Sequence, residues 1–287
     1  MMRSGILVLC MACCALMVES AAAQSIDAGR GSIPLVVPKD YDAAKPVPLV
    51  VLLHGYTSSG QAQEAYMKFG KLADSYGYVL IAPDGTKEKS DDRHRFWNAT
   101  DACCDLYGSE VDDSNYLQRV IEKVKAGYSI DDNRVYLIGH SNGGFMSHRM
   151  AADHPDTIAA IASLAGAAPA ELSGPKPRRP VNILQIHGTG DTTIKYDGGE
   201  IADNAYPGAL ETVAKWAEYN GGAKAKSVRK KLDLDKRVDG KETTITRYKK
   251  ASVELWTIHD GRHVPALSES FSEHVIQWLM AHPKSAK

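Results

Sequence analysis

The sequence predicts an α/β fold, with a mostly parallel central sheet and helices on both faces. Two observations predict it. Apolar runs of strand length, near 48 to 53, 78 to 82, 134 to 139, 158 to 164, 181 to 187 and 253 to 258, alternate with stretches of helical spacing, and strands separated by helices pair in parallel. One of them, Val135-Tyr136-Leu137-Ile138, passes straight into Gly139-His140-Ser141-Asn142-Gly143-Gly144 and then into the helix-like pattern of Phe145, Met146, Arg149 and Met150. A strand that turns sharply into a helix lifts one side chain above the sheet edge, and small neighbours allow the strained turn.

Taken in chain order, the first element is a leader. Arg3, the apolar run Ile6 to Val18 and Ala21-Ala22-Ala23 supply the charged, apolar and small-residue regions of a secretory signal. Residues 1–23 are therefore expected to be removed, and the remainder secreted or periplasmic. The apolar run is shorter than a membrane span needs. Residues 24–287 suit one α/β catalytic domain. The net charge of −1 gives no general attraction to nucleic acid, nor to a membrane once the leader is gone.

Next comes Pro48-Leu49-Val50-Val51-Leu52-Leu53-His54-Gly55, a buried strand followed by a tight turn. A loop in this place offers a backbone amide toward the serine turn, and Tyr56 is the expected donor, with Thr57 the alternative. The second donor is the amide of Asn142, the residue after the serine. Ser141 is the candidate nucleophile. Asp112 and Asp113 precede the helical pattern Tyr116, Val120, Val124, so helix capping and the helix dipole account for them.

A serine hydroxyl needs a histidine to take its proton and a carboxylate to orient that histidine. The buried run Val181 to Ile186 leads into His187-Gly188-Thr189-Gly190-Asp191, which makes Asp191 the candidate acid and Asp197 the alternative. Four histidines, His259, His263, His274 and His282, follow the last strand-like run, Val253 to Ile258. His263 follows Gly261 in a loop that reaches back toward Ser141, whereas His259 sits close to the strand and the other two lie on or beyond the closing helix. His263 is the candidate base. That closing helix carries Phe271, Val275, Trp278 and Leu279 on one face, with Ser270 and Glu273 spaced as a capping box. The segment Ala223 to Lys250 is locally basic; lysines protecting an exposed hairpin edge are the ordinary explanation, and attraction of an acidic substrate is the other.

His54-Gly55, Trp97-Asn98 with Cys103-Cys104 and Val111-Asp112-Asp113, the 139–144 turn, His187-Gly188-Thr189 with Asp191, and Gly261 with His263 together resemble the polyhydroxybutyrate depolymerase-like esterases, a group that shades into secreted feruloyl and acetylxylan esterases. The matches run from about Pro48 to Pro265. The resemblance implies an α/β-hydrolase fold and hydrolysis of carboxylic esters with no metal and no cofactor. It places the 97–104 loop near Ser141, so Trp97 and Asn98 are candidate substrate contacts, with a core tryptophan the other reading at 97; His140, next to Ser141, is a third candidate. Members of that family often carry a tryptophan just before the proline that follows the catalytic histidine, but His263-Val264-Pro265 has none. Soluble esters or oligomers are expected in preference to solid polyester. An amidase or peptidase would use the same three residues, and a binding protein on a hydrolase scaffold is the non-enzyme alternative.

Cys103 and Cys104 are the only cysteines beyond residue 23. Adjacent α-carbons lie about 3.8 Å apart, below the usual disulfide span of about 4.4 to 6.8 Å. An oxidising compartment favours a bridge between them and the short span opposes it, so a vicinal disulfide and two buried thiols stand as equals.

Overall fold

The computed structural model describes residues 24–89, 93–172, 179–222 and 224–284. The expected leader, residues 1–23, lies outside them. Two short strands not anticipated from the sequence, β1 (Ser25–Asp27) and β2 (Ser32–Val36), precede β3 (Val47–Leu53), α1 (Gly60–Met67), α2 (Ala73–Tyr76) and β4 (Val79–Ile81). A small antiparallel pair, β5 (Thr86–Lys87) and β6 (Arg95–Phe96), leads to α3 (Asp113–Gly127), β7 (Ile130–His140), α4 (Asn142–Asp153), β8 (Ala160–Leu164) and β9 (Asn182–Gly188). Then follow a second antiparallel pair, β10 (Gly198–Ile201) and β11 (Asn204–Pro207), and α5 (Ala209–Tyr219). The chain closes with β12 (Lys226–Leu232), β13 (Thr243–Tyr248), β14 (Val253–Ile258) and α6 (Phe271–Met280).

Among the described residues the main sheet runs β1-β2-β4-β3-β7-β8-β9-β14-β13-β12. Its middle, β4-β3-β7-β8-β9-β14, is parallel throughout, and antiparallel strands flank it on both sides. The six expected strands are these six. They read as continuous apolar runs because both faces are covered, and the side chains alternate between two cores. Leu49, Val51, Val135, Leu137, Ile161 and Ile183 point to the face under α3, α4 and α5. Val50, Leu52, Tyr136, Ile138, Leu184 and Ile186 point to the face under α1, α2 and α6. Helices thus lie on both faces, as expected.

Two local expectations meet different fates at the helix ends. Asp112 caps α3 by accepting the amide of Asn115, but the capping box at α6 is not formed. Ser270 is already helical and its side chain makes no cap bond; Glu273 instead accepts from the Tyr76 hydroxyl at 2.9 Å. A tertiary partner has outcompeted the local one. Asp113, read as a helix-dipole residue, is wholly buried and accepts from Thr86, from the Asn98 amide and from the Arg30 guanidinium. The basic segment forms the β12–β13 hairpin at the sheet edge, with Lys226, Lys230 and Lys231 exposed, as edge protection requires.

Parallel register brings the carboxyl ends of β3, β7, β9 and β14 to one rim. Leu53 stands opposite Gly139, and Ile258 opposite Gly188. Loops leaving that rim can meet although they are far apart in sequence.

Candidate active site

Ser141 sits between β7 and α4 with φ 54° and ψ −121°, a region that a residue bearing a Cβ rarely occupies. Such strain costs on the order of 1–3 kcal/mol and persists only where the surroundings impose it. They do so here by close approach. A Cβ on Gly139 would fall 2.0 Å from the Gly143 carbonyl oxygen, and one on Gly143 would fall 2.3 Å from that of Leu53. The Ser141 amide donates to Leu164 at 2.8 Å and its carbonyl accepts from Phe145 at 3.0 Å, fixing the turn at both ends.

Three loops from the rim converge on it. His263 Nδ1 donates to Asp191 Oδ2 at 2.7 Å, which leaves Nε2, 2.9 Å from Ser141 Oγ, as the acceptor for the hydroxyl proton. The structure therefore brings Ser141, His263 and Asp191 into one hydrogen-bonded row. Asp197, the alternative acid, is exposed, and His259 is occupied with Thr244 at 3.0 Å. The Asp191 side chain is completely buried, and its Oδ1 accepts the amides of Thr193 and Ile194. Burial alone would push its carboxyl up, but hydrogen bonds from His187 and His263 outweigh it and hold Asp191 well below the usual carboxylate range.

The loop carrying His263 is held by its carbonyls. His140 Nε2 donates to His263 at 2.9 Å, Arg237 to Val264 at 3.2 Å and the Tyr66 hydroxyl to Pro265 at 2.8 Å. Burial pushes His140 down to about 4, so it stays neutral beside His263, whose ring lies 5.1 Å away.

On the opposite side, the Tyr56 and Asn142 amides enter no hydrogen bond among the described residues, whereas the Thr57 amide is committed to the Arg95 carbonyl at 2.8 Å. Of the two expectations for the first loop, Tyr56 is thus the one with a donor to offer. His54 shapes that loop from beneath. It accepts the Gly85 amide at Nε2 and donates from Nδ1 to the Gly55 carbonyl, and its burial pushes it down to about 4.

Of the three expected substrate contacts, Trp97 and His140 are buried and Asn98 is half-buried. Trp97 is fully buried; its indole N–H donates to the His54 carbonyl at 3.0 Å, and its backbone exchanges two bonds with the Asn142 side chain, at 2.7 and 2.8 Å. It is a brace between the two amide-bearing segments. Asn98 gives its side-chain amide to the Val111 carbonyl and its own carbonyl to Arg149. His140 is only 7 % exposed and serves the His263 loop. Burial claims Trp97 and His140, and hydrogen bonds to Val111 and Arg149 engage the half-buried Asn98. Cys103 and Cys104 form a vicinal disulfide across a cis peptide bond, and Cys103 Sγ lies 3.5 Å from the side-chain Nδ2 of Asn142. Reading the sequence missed His187, Tyr66 and Arg237. His187 stood in the quoted motif as a mere neighbour of Asp191, and nothing local marks the other two.

Residues 32–174 match the family pattern described as Esterase PHB depolymerase. Feruloyl esterase B of Neurospora crassa is 30% identical over 179 residues, 62% of this chain and 59% of that protein. The bifunctional acetylxylan esterase/xylanase XynS20E of Neocallimastix patriciarum is 32% identical over 149 residues, 52% of this chain and 20% of that protein. The chain thus spans less than two thirds of the length of these curated relatives. A solved acetyl xylan esterase from Aspergillus awamori superposes with a TM-score of 0.62 at 17% identity, covering 90% of this chain and 98% of that one. The fold is the α/β-hydrolase fold, and the chain resembles the polyhydroxybutyrate depolymerase-like group. Among the described residues no helix is long and apolar enough to cross a membrane.

Proposed function

From residues 32–174, which carry the esterase PHB depolymerase pattern, we propose that this chain is a secreted or periplasmic serine hydrolase that cleaves carboxylic esters through an acyl-enzyme. The observation that carries the proposal is the row of two hydrogen bonds, 2.9 and 2.7 Å, from Ser141 through His263 to Asp191. His263 removes the Ser141 proton as Oγ attacks the ester carbonyl. Asp191 stays ionised and stabilises the imidazolium without taking the proton. The tetrahedral oxyanion is received by the unpaired amides of Tyr56 and Asn142, held in place before the reaction begins. When the intermediate collapses, the C–O bond to the alcohol breaks and His263 returns its proton to the leaving alkoxide. A water molecule, deprotonated by the same imidazole, then attacks the acyl-Ser141 ester; the acyl C–Oγ bond breaks, His263 returns the proton to Ser141 Oγ and the acid leaves. Hydroxyalkanoate oligomers, feruloyl esters and acetyl esters are the proposed substrate classes, in keeping with the names of the relatives. Secretion rests on the leader pattern of residues 1–23.

The test compares the purified chain with Ser141→Ala on nitrophenyl acetate, methyl ferulate, acetylated xylan and hydroxybutyrate oligomers. Ser141→Ala keeps the melting temperature and loses about 10³-fold or more in kcat, as nucleophile removal generally does. A fluorophosphonate labels the parent and not the variant. Near-normal ester cleavage by the variant defeats the assignment.

A further inference from the structure

We propose that His187 is a positioning residue for Asp191, held in a single tautomer by a one-way chain of buried hydrogen bonds that begins at Trp216. The proposal rests on reading Ser141, His263 and Asp191 as the reacting row. It begins from an anomaly of sequence. Strand β9 is buried on both faces, yet it carries Gln185 and His187, which are 0 % and 1 % exposed and lie on the α4 and α5 side of the sheet. Buried polar side chains persist where their hydrogen bonds are complete.

Here they are complete, and their direction is forced. The Trp216 indole has only a donor, and it meets His148 Nδ1 at 2.9 Å. His148 must therefore carry its proton on Nε2, which lies 2.9 Å from Gln185 Oε1. That orients the Gln185 amide, whose nitrogen donates to the Gly166 carbonyl at 2.7 Å and to His187 Nδ1 at 3.2 Å. His187 then carries its proton on Nε2, and this N–H donates to the Ile194 carbonyl at 2.8 Å while lying 3.4 Å from Asp191 Oδ2. Reversing any link would set the Gln185 oxygen against the Gly166 carbonyl, or a bare ring nitrogen against that of Ile194. One donor-only end and two acceptor-only carbonyls thus specify every proton.

The chain ends on the acid. Asp191 Oδ1 is closed onto the amides of Thr193 and Ile194, and that turn hangs from His187 by the Ile194 carbonyl. The His187 N–H also faces the same Oδ2 that His263 uses, favouring its ionised form. Rotating or loosening that carboxylate would move the imidazole of His263 relative to Ser141, and a misplacement of about 1 Å can cost on the order of 10²-fold in rate.

Two variants separate this role from simple core filling. In His187→Gln the amide oxygen accepts from Gln185 and the nitrogen still reaches Ile194. In His187→Asn the oxygen takes the place of Nδ1, but the arm to Ile194 and Asp191 is lost. The expected result is a kcat within about threefold of the parent for His187→Gln, and a drop of about tenfold or more, with KM within about twofold, for His187→Asn. The acid limb of kcat/KM for His187→Asn moves to lower pH, since a slackened Asp191 stabilises the His263 imidazolium less; a loss of core packing alone leaves that limb in place. Independently of turnover, nitrogen NMR of the parent chain at neutral pH is expected to show His148 and His187 as Nε2–H tautomers. Parent-like kcat and pH profile in His187→Asn overturn the proposal, as does an Nδ1–H tautomer at His187. A parent chain with no esterase activity would instead overturn the reading of the reacting row, and the NMR result would still judge the hydrogen-bond chain.

Discussion

Replacing Gly143 by alanine tests whether the contact between β3 and α4 sets the place of the Tyr56 amide. The added methyl would fall 2.3 Å from the Leu53 carbonyl oxygen and 2.6 Å from that of His54. Carbon and oxygen in a folded protein approach to about 3.3 Å, so the strand end must retreat by about 1 Å. Both opposing atoms are backbone carbonyl oxygens, so no rotamer can absorb the clash. His54 is also tied by its carbonyl to the Trp97 indole at 3.0 Å, so the displacement passes into the loop bearing Tyr56. A shift of that size in one oxyanion donor corresponds to about 10²-fold in kcat. Overpacking of this kind costs about 1–3 kcal/mol, or about 3 to 10 °C in melting temperature. The assay is kcat and KM on nitrophenyl acetate beside a thermal melt, with Gly127→Ala, whose methyl meets nothing within 4 Å, as the control. A Gly143→Ala protein with kcat within threefold of the parent would show that this contact does not set the Tyr56 amide, whether or not its melting temperature falls.

Three further outcomes follow from the same geometry. His54, His140 and His148 are all pushed down by burial from 6.5 to about 4, so the unfolded chain binds their protons first. Stability is then full above about pH 6.5 and falls as the pH drops toward 4, with about three protons taken up on unfolding near pH 5; a flat melting temperature across that window contradicts it. Tyr66→Phe removes the hydroxyl bond to the Pro265 carbonyl and is expected to cost about 1 kcal/mol in urea titration and to lower kcat more than it raises KM; an unchanged kcat would show that the His263 loop does not need this clamp. Asn142→Ala keeps the backbone amide but strands the buried Trp97 N–H and leaves the Trp97 carbonyl with the Cys104 amide alone, so a loss of about 1–3 kcal/mol is expected, read from the same titration.

A short window of residues can encode an element but not its distant partners. The six parallel strands were legible because burial on both faces demands unbroken apolar runs, and the elbow at Ser141 because its tight approaches demand glycine at 139 and 143. The order Ser141, Asp191, His263 was readable only with the fold's habit of placing such residues at strand ends. Which polar groups share a partner was settled by the packing of the folded chain. Trp97 became a buried brace, Glu273 left its helix cap for Tyr76, and His187 joined a chain reaching to Trp216. Hydrogen bonds between residues dozens of positions apart leave no periodicity behind, because they depend on distances and free lone pairs that exist only after the sheet has assembled.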